Sequence, residues 1–98
     1  MKTFRLPHQS MYPKEIHFSK ETYRIVFKKR KNWDRYAETD AGTKTITIKD
    51  GLNPRELFFT FIHELLHVIE FEKPLKITHK LVYKLEEAIG KMILDNFL

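Results

Sequence analysis

The sequence predicts an α+β fold in which a small antiparallel β-sheet from the first half of the chain packs on two helices from the second half. Three observations predict it. Short runs before residue 50 are dominated by β-branched and aromatic residues, and one of these runs alternates polar and apolar residues with period two. After residue 52, apolar residues recur with helical spacing in two segments, and a proline between the segments separates them.

The composition indicates one small domain that spans residues 1–98, and it excludes several kinds of site. Hydrophobic residues make up 42% of the chain and aromatic residues 13%, which is enough for a single core. The chain has no cysteine, so any metal ligands within it must be histidines or carboxylates. No run has the character of a signal peptide or the roughly 18 apolar residues of a membrane span. We therefore expect a cytoplasmic protein that does not bind membranes.

The first half is predicted to form four strands, over residues 16–18, 22–28, 36–39 and 43–49. In the last of these, Ile46 and Ile48 alternate with polar residues, which predicts an antiparallel strand with both isoleucines facing the core. This strand leads directly into the first helix. It could therefore be the sheet edge along which an extended peptide binds, and the alternative is an ordinary strand without a ligand.

The first helix is predicted over residues 53–71. Asn53 suits the N-cap, Pro54 suits the first helical position, and Glu56 completes a capping box. Apolar residues then cover much of the circumference, as expected of a buried helix. Polar residues inside such a helix are unfavourable unless they find partners.

The most informative of these polar residues belong to the pattern H-E-x-x-H at residues 63–67. Two histidines four residues apart on a helix lie on one face, so His63 and His67 can bind the same metal ion. Glu64 would lie beside the metal and could act as the general base on a water molecule that the metal activates. The motif therefore predicts a metal-dependent hydrolase. Zinc is the expected ion, and imidazole ligands also suit copper, nickel and iron.

The second helix, predicted over residues 78–97 with Thr78 as its N-cap, offers candidates for a third protein ligand. His79 in its first turn is the favoured candidate. Glu86 shares the face of His79 by i+7 spacing and is the second, and Glu87 is the third. The core face of this helix is expected to hold Leu81, Leu85, Ala88, Ile89, Met92, Ile93 and Phe97.

Positive charge is concentrated upstream of the motif. Residues 1–36 hold ten Lys/Arg against three Asp/Glu, whereas residues 37–98 hold eight against ten. A basic run with aromatic residues close behind suits single-stranded nucleic acid, because phosphates contact cations and bases stack on rings. The alternative interpretation of this basic run is a solvent-exposed hairpin turn followed by aromatic residues of the core. The residues that could give weak nucleic-acid binding are Lys28, Lys29, Arg30, Lys31 and Trp33.

Together these features resemble the SprT-like (Spartan-type) zinc metallopeptidases, in a minimal form similar to small phage and mobile-element enzymes. The resemblance covers about residues 37–85, and its most specific parts are the H-E-x-x-H helix and the histidine that opens the next helix. It implies a zincin-like fold and hydrolysis of peptide bonds in a protein or peptide substrate. It also implies that His63, His67 and His79 are zinc ligands and that Glu64 is the catalytic base and acid.

The chain departs from that family in two places. The family often has His-Gly-Pro-Glu at the third ligand, where this chain has His-Lys-Leu-Val at residues 79–82, and the 98 residues contain no cysteine zinc ribbon. A different group of minimal zincins takes its third ligand from a glutamate on the following helix, a pattern that Glu86 would fit. The alternative function is a non-catalytic, metal-stabilised phage or host regulator that binds nucleic acid or a protein partner through the basic N-terminal half.

Overall fold

The computed structural model describes residues 5–29, 35–73 and 75–97, which form a four-stranded sheet and two long helices. No helix in these ranges is long and apolar enough to cross a membrane. The α+β class and the six predicted elements are confirmed, with ends that differ from the predictions by one or two residues. After a short 3-10 helix at Gln9–Met11, the elements are β1 (Glu15–Phe18), β2 (Glu21–Lys28), β3 (Ala37–Asp40), β4 (Thr45–Lys49), α1 (Pro54–Glu72) and α2 (His79–Phe97).

The sheet is mixed, so the prediction of an antiparallel sheet is wrong. Its strand order is β1-β2-β4-β3, with β2 and β4 parallel at the centre and both outer pairs antiparallel. β3 precedes β4 in the chain but lies beyond it in the sheet, so the chain crosses from β2 to the far edge before it returns as β4. The alternation in β4 specifies which side chains face the core. It does not specify the direction or the identity of the neighbouring strands.

β4 is not the sheet edge, contrary to the expectation from the sequence. It pairs with β2 on one side and with β3 on the other, and its register places Ile46 beside Ile25 and Ile48 beside Phe27. Ile46 and Ile48 are fully buried, as predicted. Because both sides of β4 are hydrogen-bonded, this strand cannot pair with a further strand. Among the described residues, the outer strands of the sheet are β1 and β3.

α1 packs against both the sheet and α2, and it begins with the predicted capping box. The Asn53 side chain accepts a hydrogen bond from the Glu56 backbone, and the Glu56 side chain accepts one from the Asn53 backbone. These two packing surfaces explain why apolar residues surround so much of α1. The cluster on the sheet side contains Tyr23, Ile25, Ile46, Ile48, Leu57 and Val68, and the cluster on the α2 side contains Ile62, Leu66 and Val82.

α2 begins as predicted, and its buried face is predicted only in part: Leu85 and Ile89 pack against α1 as expected, whereas Ala88 is exposed. Thr78 Oγ1 accepts a hydrogen bond from the backbone N–H of Leu81, which confirms the N-cap. Leu81 and Met92 were expected in the core and are instead 42% and 65% exposed, whereas Val82 and Leu94 are buried. The apolar residues of α2 form two overlapping stripes. Packing on α1 selects the stripe that contains Val82.

A polar network holds the C-terminal end of α1 to the sheet. One carboxylate oxygen of Glu72 accepts hydrogen bonds from the Tyr23 hydroxyl and from the Lys44 ammonium group, both at 2.6 Å. Tyr23 is fully buried, and this burial together with the hydrogen bond to Glu72 raises its pKa to about 12. The hydrogen bonds from Lys44 and Tyr23 lower the pKa of Glu72. The network therefore ties α1 to β2 and to the turn between β3 and β4.

Tyr23→Phe should lower the free energy of unfolding at neutral pH. As the pH rises into the alkaline range, the free energy of unfolding should fall less steeply in the variant than in the wild type. The variant loses one hydrogen bond to a charged group, worth about 1.5 kcal/mol. In the wild type, the pKa of Tyr23 is about 12 in the folded state against an ordinary value of 10.0. The stability that this residue contributes is therefore complete below the unfolded pKa and is lost as the pH rises through the folded pKa. Urea unfolding of both proteins across this alkaline range measures the difference.

Tyr83→Phe is the matched control, because Tyr83 is 60% exposed on α2 and lies outside both core clusters. This variant should follow the wild type over the whole pH range. If the free energy of unfolding fell equally steeply with rising pH in the wild type and in Tyr23→Phe, the proposed contribution of the Tyr23–Glu72 hydrogen bond would be wrong.

Candidate metal centre

One strip of α1 is left open by the two packing surfaces of the helix. Its residues recur every fourth position, and residues at this spacing lie one above another on the same face of a helix. All of them line a single cleft. In chain order, the members of this α1 strip are Arg55, Phe59, His63, His67 and Phe71.

Three histidines meet at the middle of the α1 strip. The Nε2 atoms of His63 and His67 are 3.1 Å apart, and the first turn of α2 brings the His79 ring within 5.2 Å of the His67 ring, measured between centroids. The candidate ligand atoms of all three residues lie within 4.8 Å of one another. Two nitrogens bound to one tetrahedral zinc ion would be separated by about 3.3 Å. The spacing of His63 and His67 is therefore close to that of a zinc site.

The other ring nitrogens of the two α1 histidines face carboxylates. His63 Nδ1 is 2.8 Å from Glu86 Oε1, and His67 Nδ1 is 3.0 Å from Glu70 Oε1. An ionised carboxylate can only accept hydrogen bonds, so both Nδ1 atoms donate and carry the proton of a neutral imidazole. This is the arrangement in which carboxylates orient the histidine ligands of a metal.

The same arrangement points two ring nitrogens at each other, and either a shared proton or a metal ion can join them. With Nδ1 protonated, Nε2 of neutral His63 and Nε2 of neutral His67 are both acceptors, and they face each other at 3.1 Å. Two lone pairs this close repel each other unless a positively charged species lies between them. A divalent metal ion satisfies both nitrogens at once, and His79 offers a third nitrogen at the same place. The residues present therefore fit a zinc ion.

The alternative third ligands are engaged elsewhere. Glu86 binds His63 Nδ1 and is thus placed to orient a ligand. Glu87 is exposed and pairs with Lys91 at 2.9 Å. His79 is the third-ligand candidate that the geometry favours. Glu70 was missed in the sequence, although its i+3 spacing from His67 could have identified it.

Glu64, the predicted general base, is buried beside the histidines with 4% of its surface exposed. Its Oε1 accepts a hydrogen bond of 2.8 Å from the hydroxyl of Thr39 on β3. Burial raises the pKa of Glu64, while the Thr39 hydrogen bond and the nearby histidines act in the opposite direction. Thr39 had no signal in the sequence, because its role depends on β3 lying next to α1.

The three histidines open into a cleft of about 1140 Å³ between β3, α1 and α2. β3 lines one side from Ala37 to Thr39, and α2 lines the other with residues that include Tyr83. The Tyr83 ring lies 4.9 Å from the His63 ring, measured between centroids. An extended chain could therefore reach the histidines between an outer strand of the sheet and a helix.

The basic segment predicted to bind nucleic acid is only partly described. Lys28 and Lys29 are exposed at the end of β2. Arg30, Lys31 and Trp33 lie outside the described residues. The Tyr36 hydroxyl donates a hydrogen bond to Glu56, so it is directed toward α1.

Comparisons of the chain with models of protein families, with curated proteins and with solved structures give no match. The resemblance to SprT-like metallopeptidases therefore stays a prediction. The case for a function rests on the residues of the cleft.

Elemental analysis of protein purified without a histidine tag should find about one zinc ion per chain. His79→Ala should lose that zinc, because the two remaining histidines would bind it too weakly to retain it. Glu86→Gln should keep zinc but bind it about 10-fold to 100-fold more weakly, because His63 loses the carboxylate that orients its ring.

His17→Ala is the control for these variants, since His17 is exposed on β1 and contacts Thr22. It should bind zinc as the wild type does. Zinc loss only in Glu86→Gln, or no metal in the wild type after incubation with zinc, would contradict the three-histidine centre.

Proposed function

We propose that this protein is a zinc-dependent metallopeptidase that hydrolyses peptide bonds. One observation carries the proposal: three histidines converge in an open cleft, and the buried carboxylate of Glu64 lies beside His63 and His67 on α1. A metal with three protein ligands and a neighbouring carboxylate base is the arrangement that hydrolytic zinc sites require.

The metal would be held by Nε2 of His63, by Nε2 of His67 and by His79, with Glu86 and Glu70 keeping the first two rings in place. When bound, zinc supplies a Lewis acid that polarises the scissile carbonyl and lowers the pKa of a water molecule to about 7. The open side of the cleft admits both the water and the substrate.

Glu64 moves the protons of the reaction. It takes a proton from the attacking water as the water oxygen bonds to the carbonyl carbon, and it gives that proton to the amine as the C–N bond breaks. Burial raises the pKa of Glu64, whereas the charge of a bound zinc ion would lower it. Thr39 donates a hydrogen bond to Oε1 and so restrains the plane of the carboxylate, and Oε2 would accept from the water.

The substrate is assigned to β3 and not to the strand at residues 44–48. β4 is paired on both sides, whereas β3 is an outer strand of the sheet and lines the cleft. An extended segment of an unfolded protein could add to β3 through main-chain hydrogen bonds. Thr39 lies on this strand and contacts Glu64, so a segment bound along β3 would bring its backbone close to the general base.

Glu64→Gln should keep zinc and reduce peptide cleavage by about 100-fold to 10,000-fold, because glutamine cannot accept the proton. The assay is cleavage of a mixture of unstructured peptides by zinc-loaded protein, with the products identified by mass spectrometry. Mapped products also give the cleavage sites.

Glu87→Gln is the matched control, since Glu87 also lines the cleft but pairs with Lys91. It should cleave at the rate of the wild type. Equal cleavage by the wild type and Glu64→Gln would rule out the proposed mechanism.

A second candidate function is a regulator that binds nucleic acid without catalysis, and one feature of the sheet supports it. Lys28 and Lys49 are neighbours across the parallel strands β2 and β4. Arg24 is exposed four residues before Lys28, on the same face of β2. Like charges side by side in a sheet are destabilising, and a polyanion would relieve their repulsion.

This second function predicts affinity for a single-stranded oligonucleotide that falls with rising salt. Lys28→Gln and Lys49→Gln should each weaken binding, and Glu64→Gln should not. Fluorescence anisotropy at several salt concentrations measures the affinities. Affinity that is independent of salt and of both lysines would contradict a role in nucleic-acid binding.

A further inference from the structure

The α1 strip continues past the histidines toward the N-terminal end of the helix, where it contains Phe59 and Arg55. The guanidinium carbon of Arg55 is 5.1 Å from the centre of the Phe59 ring, and both residues line the cleft. The Phe59 ring in turn lies against Gly90 of α2, where an added Cβ would overlap it. A cation is attracted to the face of an aromatic ring, so the ring held at Gly90 positions the guanidinium on the cleft wall.

Arg55 differs from the other charged residues of the cleft because its side chain forms neither a hydrogen bond nor an ion pair among the described residues. A cation in the first turn also opposes the helix dipole, so helix stability does not explain this arginine. The carboxylates of the cleft already have partners: Arg35 for Glu38, Tyr36 for Glu56, Thr39 for Glu64, His63 for Glu86 and Lys91 for Glu87.

The position of Arg55 corresponds to a definite place on a bound peptide. It precedes His63 by eight residues, which is about 12 Å along the helix axis. An extended chain rises about 3.3 Å per residue, so this distance spans about four residues. The hydrogen bonds from Tyr36 to Glu56 and from Thr39 to Glu64 indicate that β3 and α1 run in the same direction along the cleft.

A segment bound along β3 would therefore pass from the histidines to Arg55. Antiparallel pairs are the commoner arrangement in sheets. In an antiparallel arrangement the C-terminal part of the segment lies at Arg55, because β3 runs from the Arg55 end of the cleft toward Glu64.

We propose that Arg55 is a specificity-determining residue that selects substrates with a carboxylate about four residues C-terminal to the scissile bond. This inference rests on the proposed peptidase function and adds the chemistry that the cleft recognises. The planar guanidinium can donate two parallel hydrogen bonds to one carboxylate. The carboxylate can come from an acidic side chain or from the C-terminus of the substrate.

The test uses amidated peptides built on a cleavage site mapped with the wild-type protein. One peptide has Glu at the fourth residue after the scissile bond, and its matched partner has Gln. The wild type should cleave the Glu peptide with a kcat/KM about threefold to fivefold higher, as expected for an exposed charge pair. The preference should shrink as the salt concentration rises. Moving the Glu by one residue in either direction tests the register.

Variants of Arg55 test the role of the guanidinium. Arg55→Gln should remove the difference between the two peptides, and Arg55→Glu should favour a third peptide with Lys at that position. Lys84→Gln is the control for loss of one positive charge, because Lys84 is exposed on α2 and does not line the cleft. It should keep the preference of the wild type.

A shorter peptide that ends at the fourth residue with a free carboxylate distinguishes the two sources of the charge. If the amidated Glu peptide is cleaved faster than the Gln peptide, Arg55 recognises an acidic side chain. If only the shorter peptide is cleaved faster than the Gln peptide, Arg55 recognises the C-terminus of the substrate. Affinities measured by fluorescence anisotropy in the Glu64→Gln background should show the same order without turnover.

Equal kcat/KM values and equal affinities for the Glu, Gln and shorter peptides would overturn the role of Arg55 and leave the peptidase function intact. A preference for the Lys peptide in the wild type would also overturn it. If no peptide is cleaved in a manner that depends on Glu64, the peptidase function fails and the inference about Arg55 fails with it.

Discussion

The burial of α1 on two sides is the constraint on which the rest of the structure depends. The sheet covers one side and α2 covers another, so the remaining strip is where His63 and His67 face the cleft. A helix that is hydrophobic around most of its circumference would otherwise bury those groups at a large cost. The α1 strip is the place where a polar site can exist, and the four-residue spacing of His63 and His67 follows it.

Each of the two histidines on this strip has a carboxylate partner at its Nδ1 atom. Glu70 and Glu86 fix the protons of His67 and His63 on Nδ1, which directs the lone pairs of both Nε2 atoms toward a common point. α2 supplies Glu86 and also His79, so in the proposed metal site one helix would both orient a ligand and provide another. The packing of α2 on α1 would therefore contribute to the metal affinity of that site as well as to stability. A change that shifts α2 along α1 would disturb both residues together.

Local features of the sequence were sufficient to predict the elements and the histidines that lie close together in the cleft. A capping box, a motif and a four-residue spacing each lie within one turn or two of a helix, and their geometry does not depend on the rest of the fold. The strand order could not be obtained in this way, because period-two alternation in β4 is the same for parallel and antiparallel neighbours. Thr39 and Arg55 were missed for a related reason. Their roles depend on which elements lie opposite each other across the cleft.

The parallel pairing of β2 with β4 has a consequence for the chemistry as well as for the fold. Because β4 occupies the centre, β3 is left as an outer strand, and this strand carries Thr39 to Glu64. The hydrogen bond between them joins a strand that can bind an extended chain to the proposed general base. A base that the scaffold already holds in the reactive orientation loses little freedom when the substrate arrives. At the far end of α1, the buried contact of Tyr23 with Glu72 anchors the helix to β2, which pairs with β4. The sheet thus holds α1 at Glu64 and at Glu72, and His67 lies between these two points.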